Sequence, residues 1–270
     1  MKRALFACLL AGCAGAPAAS PGPTLGLSWD KNMLLITGAF PGGRIDVLYL
    51  EAYCRSGSTD REWKLTTIPH KTEKLSQSLT EVRLRCQVEG GVVVEHVIRA
   101  GAGEVDFEVV AVNTGAAYVD AVWVQPCVRV GDFTATGKDR TAYIPKSFIY
   151  VDGRRAWLPD LPWATKAIYT PGQVYVPAGV DRKDANPRPH SESVPSNGLI
   201  GCVSADRSMV FATAWEPYQE LFQGVITCLH SDFRLGGLKP GETKKARGKI
   251  YVMPNDEAAL LARYRRDFGG

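Results

Sequence analysis

From Thr24 onward the chain consists of short runs in which every second residue is apolar, separated by Gly, Pro, Asn and Asp. Such alternation places successive side chains on opposite faces of a strand, and few windows show the 3.6-residue period of a helix. The runs include MLLITGAF, RIDVLYLEAY, EVRLRCQVEG, VVVEHVIRA, VDFEVVAVN, AVWVQPCVRV, SFIYVDG, GLIGCVSA, MVFATAWE and KARGKIYVM. We therefore predict an all-β fold, a large antiparallel β-sandwich formed by residues 25–270 as one domain.

Two segments depart from this pattern. Residues 157–197 contain seven prolines and several charges, and a long loop of this kind is usually functional or mobile. The run PNDEAALLARYRRDF offers Asn255 or Asp256 as N-cap, acidic residues in the first turn and basic residues in the last. This run predicts one short C-terminal helix.

The N-terminus has the composition of an export signal, with Lys2 and Arg3 before an apolar run and then small residues. Leu10-Ala11-Gly12-Cys13 resembles the bacterial lipobox, which predicts a lipoprotein signal peptide over residues 1–12 and lipidation of Cys13. Residues 13–24 are rich in Ala, Pro and Gly and are typical of a tether. Ala14 resembles the sorting pattern of the outer membrane, so we expect an exported protein, periplasmic or on the cell surface, anchored to that membrane by lipid.

Ordinary secretion is the alternative for the N-terminus. Ala16-Pro17-Ala18 matches the small-x-small cleavage pattern, and cleavage there would remove Cys13 with the signal. Five cysteines follow the signal in either case: Cys54, Cys86, Cys127, Cys202 and Cys228. An odd number leaves at least one thiol unpaired unless it bonds another chain.

Composition argues against several classes of ligand. The formal net charge is +4, and it falls to about +2 once Lys2 and Arg3 are removed, so we expect no nucleic-acid partner. No CxxC motif is present, which gives a structural zinc site little support. The sequence thus predicts no metal and no other cofactor.

Polar and aromatic side chains share one face of two predicted strands. In AVWVQPCVRV, Trp123, Gln125 and Arg129 alternate with valines. In RIDVLYLEAYCRSG, Tyr49, Glu51, Tyr53 and Arg55 align on one face, opposite Leu48, Leu50, Ala52 and Cys54, and we place Cys54 in the core. Aromatic rings, amides and guanidinium groups stack on sugar rings and bind their hydroxyls or carboxylates, so we predict that these faces form a substrate-binding cleft. A solvent-exposed sandwich face is the alternative.

The chain has only four histidines, and two of them are candidates for a site outside these strands. TTIPHKTEKL brings His70 and Glu73 within four residues after a proline, where a loop could present them as an acid/base pair, although a solvated turn would look the same. His190 lies in the proline-rich segment and either reaches over the cleft or is exposed. His96 lies on an apolar face, which favours a structural histidine of the core.

The fourth histidine lies in ITCLHSDF, where Cys228, His230 and Asp232 share one face of a strand. A carboxylate near an imidazole can orient it and raise its basicity. The break at Gly236-Gly237 predicts that His230 and Asp232 are catalytic groups at the rim of the cleft, with Cys228 packed deeper and doing no chemistry. Three alternate residues of one strand seldom converge on a metal ion, so we do not predict a metal site here.

The succession VVVEHVIRAGAGEVDFEVVAVNTG, an aromatic polar strand and GLKPGETKKARGKIYVM resembles the galactose-mutarotase-like supersandwich in style and spacing over residues 80–253. The resemblance implies a sugar bound on an open sheet face, with His as acid and Glu as base. The Asn-x-x-x-His-x-Tyr-Phe-Asn run of the epimerases is absent.

Three functions follow from this resemblance: epimerase-like chemistry, a lyase or hydrolase-like enzyme acting on a poly- or oligosaccharide, and a non-catalytic structural or sugar-binding module of the cell envelope. A lyase needs a positive group for the uronate carboxylate, which Arg55 or Arg129 could supply. An enzyme should bring at least two histidines or carboxylates to one cavity, whereas a module should scatter them.

Overall fold

The computed structural model describes residues 22–167 and 171–269, and in these ranges the chain forms seventeen β-strands and two α-helices. The strands are β1 (Leu25–Asp30), β2 (Met33–Gly38), β3 (Arg44–Cys54), β4 (Thr67–Ile68), β5 (His70–Gln77), β6 (Glu81–Val88), β7 (Val92–Ala100), β8 (Glu104–Asn113), β9 (Trp123–Arg129), β10 (Ser147–Val151), β11 (Arg154–Trp157), β12 (Gln173–Tyr175), β13 (Ile200–Val203), β14 (Met209–Glu216), β15 (Tyr218–Gln223), β16 (Cys228–Arg234) and β17 (Thr243–Pro254). The helices are α1 (Trp63–Thr66) and α2 (Glu257–Phe268). The prediction of an all-β sandwich with a short C-terminal helix is confirmed.

The strands form two antiparallel sheets. One has eight strands in the order β1-β2-β3-β9-β16-β15-β12, with β4 paired to β3. The other has nine strands in the order β11-β10-β13-β14-β17-β8-β7-β6-β5. In the eight-stranded sheet, β3, β9, β16 and β15 are therefore direct neighbours, and this places their outward side chains on one continuous surface.

One large apolar core lies between the two sheets. Val124 and Val128 of β9 and Leu229 and Phe233 of β16 belong to it, and the Phe233 ring stacks on Trp215 of the opposite sheet with centroids 4.3 Å apart. Aromatic pairs of this kind stabilise a core by about 0.5–1.5 kcal/mol beyond the area they bury. The alternate residues of β9 and β16 face away from the core, as the sequence predicts.

The inward face of β3 is the opposite of the predicted one. Tyr53 lies in the core between the sheets, whereas Cys54 lies on the outer face of the sheet beside Trp123. Burial of Tyr53 is possible because its hydroxyl lies 3.1 Å from Nε2 of His96, while the hydroxyl of Tyr49 lies 3.0 Å from Nδ1. The structural role expected for His96 is confirmed, because this histidine is buried and bonded at both ring nitrogens.

A β-bulge interrupts β3. Leu50 has φ of +62°, and the pairing with β9 shifts register between Leu48 and Ala52. A bulge inserts an extra residue and redirects the neighbouring side chains. Here it turns Glu51 out of the series of Tyr49 and Tyr53 and onto the outer face of the sheet.

The C-terminal helix α2 packs on the outer face of the nine-stranded sheet through Leu260 and Phe268. Asp256 is its N-cap, since Oδ1 accepts a hydrogen bond from the backbone N–H of Ala259 at 3.0 Å. The predicted signal peptide and Cys13 lie outside the described residues. Within the described residues no helix has the length and apolar composition needed to cross a bilayer.

Candidate functional site

A cavity of about 240 Å³ opens on the outer face of the eight-stranded sheet. Strands β3, β9, β15 and β16 supply its base, α1 and the proline-rich segment supply its walls, and the turn before β16 closes one side. The residues that line it are Glu51, Trp63, Gln125, Cys127, Asn186, Arg188, Phe222, Val225, Ile226, Cys228 and His230. The surface is thus partly aromatic and partly polar, which is typical of small-molecule sites.

Strand pairing brings the chemical groups together. Leu229 of β16 pairs with Val128 of β9, so the next residues along each strand, His230 and Cys127, are also neighbours. On the other side, His230 pairs with Phe222 of β15, and their ring centroids lie 4.9 Å apart. Because the side chains of Cys127, His230 and Phe222 point away from the core, the sheet itself positions them.

Two thiols and an imidazole meet at the base of the cavity. Sγ of Cys127, Sγ of Cys228 and a ring nitrogen of His230 lie within 4.8 Å of one another. Sγ of Cys228 lies 3.2 Å from Nε2 of His230. Thiolate and imidazole are the ligands that zinc and other soft metal ions prefer, so these three residues could hold such an ion.

Two buried carboxyls lie behind the imidazole. Oδ1 of Asp232 is 3.6 Å from Nδ1 of His230, and neither Asp232 oxygen nor this nitrogen has a hydrogen-bond partner among the described residues. Glu220 pairs with Asp232 across β15 and β16, and its carboxylate accepts hydrogen bonds from the backbone N–H of Asn186 at 2.9 and 3.2 Å. The proline-rich segment is thereby attached to the sheet beside the cavity.

Of the two residues predicted at the rim of the cleft, His230 reaches the cavity and Asp232 does not. Cys228 and His230 both line the cavity and are each 2% exposed, whereas Asp232 is fully buried. Asp232 therefore lies deeper than Cys228, contrary to the expected order, because the proline-rich segment is attached beside it through Glu220 of β15.

Burial and close neighbours shift the pKa values of these groups. The hydrogen bond with Cys127 and the neighbouring His230 hold the pKa of Cys228 well below its ordinary value, against the effect of burial. Burial lowers the pKa of His230, but Cys228 and Asp232 outweigh it and raise the pKa well above its ordinary value. Burial raises the pKa of Asp232 to about 6 and, together with the charge of Asp232, raises that of Glu220 well above its usual range.

Glu51 and Gln125 give the cavity two further polar groups. The Glu51 side chain reaches solvent through the cavity mouth, while the surrounding protein raises the pKa of its carboxyl by desolvation. Gln125 is 3% exposed and lines the cavity, as predicted for a binding residue, and its amide forms no hydrogen bond among the described residues. Both groups can therefore bind a ligand.

Gly224 allows the backbone to approach the two reactive side chains closely. A Cβ atom at this position would lie 2.3 Å from Sγ of Cys228 and 3.0 Å from Nε2 of His230. Real Cβ contacts are essentially never this short, so the position admits only glycine without displacement of the site.

Besides Tyr53 in the core, four predicted binding residues lie outside the cavity. Trp123 is buried beneath Trp63, with its ring nitrogen 3.3 Å from Oγ of Ser58. Arg55 donates to the carbonyl of Thr67 at 2.8 Å and lines a separate depression. Arg129 and His190 each line an adjacent cavity, and Nε2 of His190 bonds the carbonyl of Asn186 at 2.8 Å.

His70 and Glu73 do not lie in a loop and do not form the expected pair. Both residues lie on β5, the edge strand of the nine-stranded sheet, and their odd spacing points them to opposite faces. His70 packs against the Tyr53 ring, with centroids 4.9 Å apart, and Glu73 pairs with Arg85 of β6. Neither residue lines the cavity.

The cavity also contains residues that sequence reasoning did not select as site residues. Trp63 and Asn186 reach it from α1 and the proline-rich segment, which are distant in sequence. Glu51 reaches it through the bulge. Two of them could be found from alternation, because Cys127 lies between Gln125 and Arg129, and Glu51 between Tyr49 and Tyr53, on the faces predicted to bind ligand.

The chain is similar in structure to several solved proteins. One is a putative aldose 1-epimerase from Escherichia coli K12, at 11% identity and a TM-score of 0.45, covering 86% of this chain and 100% of that chain. Another is a galactose mutarotase-like protein from Lactobacillus casei, at 9% identity and a TM-score of 0.43, covering 84% and 99%. No protein-family model and no curated protein matches the sequence. At this level of similarity no substrate or residue role is carried over.

Proposed function

We propose that the cavity binds a single sugar unit and that the protein processes it there by proton transfer. The observation that supports this proposal is that one cavity combines Trp63 and Phe222 with two groups able to exchange protons, Glu51 and His230. Aromatic faces stack on the apolar side of a sugar ring, and carboxyl and imidazole groups are the commonest general acids and bases. A volume of about 240 Å³ lies below the usual range of ligand pockets, about 300–1,000 Å³, and suits one ring better than a chain.

Each lining group has a role in this proposal. Gln125 binds sugar hydroxyls, since its amide both donates and accepts hydrogen bonds. Arg188 lines the cavity and takes the position of the positive group that a uronate would need, in place of Arg55 and Arg129. The resemblance to mutarotase-like enzymes implies a glutamate as base and a histidine as acid. In this proposal Glu51 and His230 take these roles, and Glu51 replaces Glu73, the glutamate selected from the sequence.

The test uses D-galactose, D-glucose and D-glucuronate with the purified protein. Binding is measured by calorimetry, and exchange between anomers is measured by NMR. We expect Glu51→Gln to abolish catalysed exchange while changing sugar affinity by less than about tenfold, because the amide keeps the shape of the carboxyl. Gln125→Ala should weaken binding about 2–10-fold, the value of one ordinary hydrogen bond.

Glu73→Gln is the matched control, because it makes the same chemical change on β5, outside the cavity. It should leave both measurements unchanged. Sugar binding without turnover in the wild type would instead favour the non-catalytic sugar-binding module. If none of the three sugars binds, the proposed function is wrong.

We also propose that the protein is exported and anchored to the bacterial outer membrane by lipid on Cys13, so that the domain works in the periplasm or on the cell surface. The support is the sequence of residues 1–24 alone. Labelled fatty acid should be incorporated into the wild type and lost in Cys13→Ala. Incorporation that persists in the variant contradicts lipidation at this cysteine.

A further inference from the structure

The two thiols and the imidazole at the base of the cavity have the arrangement of an incomplete metal coordination sphere. A tetrahedral zinc ion, with Zn–S of about 2.3 Å and Zn–N of about 2.0–2.1 Å, needs donors about 3.5–3.8 Å apart. Cys127, Cys228 and His230 present their donors within 4.8 Å of one another, and Sγ of Cys228 is 3.2 Å from Nε2 of His230. Only small side-chain movements separate this geometry from that of a bound ion.

The buried carboxyl of Asp232 provides a second, independent observation. Its oxygens have no hydrogen-bond partner among the described residues, and one of them lies 3.6 Å from the unpaired Nδ1 of His230. A histidine that binds a metal through one ring nitrogen almost always directs the other at a carboxylate or carbonyl. Asp232 occupies that place, because one of its oxygens lies 3.6 Å from Nδ1 while Nε2 lies 3.2 Å from Sγ of Cys228.

The cavity provides a free coordination position. All three donor residues line it, and Glu51 lies on the same surface. Zinc sites that only support a fold have four protein ligands, whereas catalytic sites have three and keep the fourth position for water or substrate. We propose that Cys127, Cys228 and His230 bind one zinc ion through Sγ, Sγ and Nε2, with the fourth position open to the cavity.

The role of the ion rests on the proposed function, although its binding does not. A zinc ion at this place would polarise a sugar oxygen at the fourth position. His230 would then act as a ligand, and proton transfer would fall to Glu51. Sugar turnover by protein that binds no zinc would keep the proposed function and overturn only the metal site.

The experiment measures metal binding directly, without sugar. The purified protein is stripped of metal in the presence of a non-thiol reductant and titrated with Zn²⁺ by calorimetry, and then with Co²⁺ by absorption spectroscopy. We expect one ion per chain, with Co²⁺ giving the thiolate charge-transfer band and the visible bands of a tetrahedral site. Absence of stoichiometric binding, or an octahedral cobalt spectrum without the thiolate band, overturns the proposal.

Variants assign the ligands. Cys127→Ser, Cys228→Ser and His230→Gln should each weaken zinc binding by more than about 100-fold, beyond the range of about 10–100-fold expected for the positioning residue in Asp232→Asn. Asp232→Asn should keep the thiolate band. Cys86→Ser is the matched control, because this buried thiol lies 3.2 Å from Oγ1 of Thr72, away from the cavity. Affinity that survives in all three ligand variants, or falls equally in the control, contradicts the assignment.

Discussion

Replacing His96 with glutamine should remove much of the protein's loss of stability between pH 7 and pH 5. The imidazole is 1% exposed and lies between the hydroxyls of Tyr49 and Tyr53, at 3.0 and 3.1 Å. Burial, with a smaller contribution from the charge of His70, lowers the pKa of His96 from 6.5 to about 3. A glutamine amide can accept a hydrogen bond from one phenol and donate to the other, and it does not titrate in this range.

The sign and size of the effect follow from this shift. The folded protein keeps His96 neutral down to about pH 3, whereas the unfolded chain binds a proton once the pH falls below 6.5. The unfolded state therefore binds more protons over this window, and the free energy of unfolding decreases as the pH falls. Between pH 7 and pH 5 this one group lowers the free energy of unfolding by about 2 kcal/mol, and the full window to pH 3 corresponds to roughly 5 kcal/mol.

Urea unfolding followed by tryptophan fluorescence at pH 7 and pH 5 measures this effect. The change in stability of the wild type minus that of His96→Gln cancels the contributions of all other titrating groups and should be about 2 kcal/mol. His190→Gln is the comparison variant: burial also lowers the pKa of the partly exposed His190, but by less than that of His96, so this variant should lose less of the pH dependence. Equal pH dependence in wild type and His96→Gln would refute the reasoning.

Two further predictions concern a glycine and a helix cap. Gly224→Ala should weaken sugar and zinc binding, because the new methyl group would lie 2.3 Å from Sγ of Cys228; Gly179→Ala, with no atom within 4 Å, should change neither in the same calorimetric titrations. Asp256→Ala should lower the free energy of unfolding by about 1 kcal/mol through loss of the α2 N-cap, and Asp256→Ser should restore most of it. Equal urea midpoints for wild type, alanine and serine variants would contradict the role of the cap.

The fold could be predicted from the alternation of apolar residues, because most strands have one face in the core. Strand β5 could not be predicted in this way. Its sequence, HKTEKLSQ, is polar on both faces, and an edge strand that faces solvent has no need of an apolar series. The polar sequence of this segment is therefore typical of a loop, in which His70 and Glu73 would be neighbours. On the strand, their spacing of three separates them.

The choice of inward face on β3 depended on a partner that alternation does not reveal. Tyr49 and Tyr53 can be buried because His96, from a strand of the other sheet, satisfies both hydroxyls. Without that contact, the face of Leu48 and Leu50 is more apolar than the face of Tyr49 and Tyr53 and is therefore the one predicted to be buried. The bulge at Leu50 then moved Glu51 to the cavity, and no local residue pattern marks that irregularity.

The depth at which each residue of β16 lies in the site also cannot be predicted from that strand alone. The sequence correctly placed Cys228, His230 and Asp232 on one face of β16, yet what covers that face comes from Asn186 and Trp63, distant in the chain. A prediction of which of the three residues meets solvent therefore needed the path of the proline-rich segment. That segment covers Asp232 and leaves Cys228 and His230 at the cavity.

The same limit explains why a metal site could not be expected from the sequence. Along one strand, three alternate residues such as Cys228, His230 and Asp232 seldom converge on one ion. On a sheet, however, donors meet across strands, and the pairing of β9 with β16 brings Cys127 to His230 and Cys228. Alternation predicts the outward faces of β9 and β16 separately, but it does not show that these two strands are neighbours. In this arrangement Asp232 is not a ligand but the group that orients the imidazole.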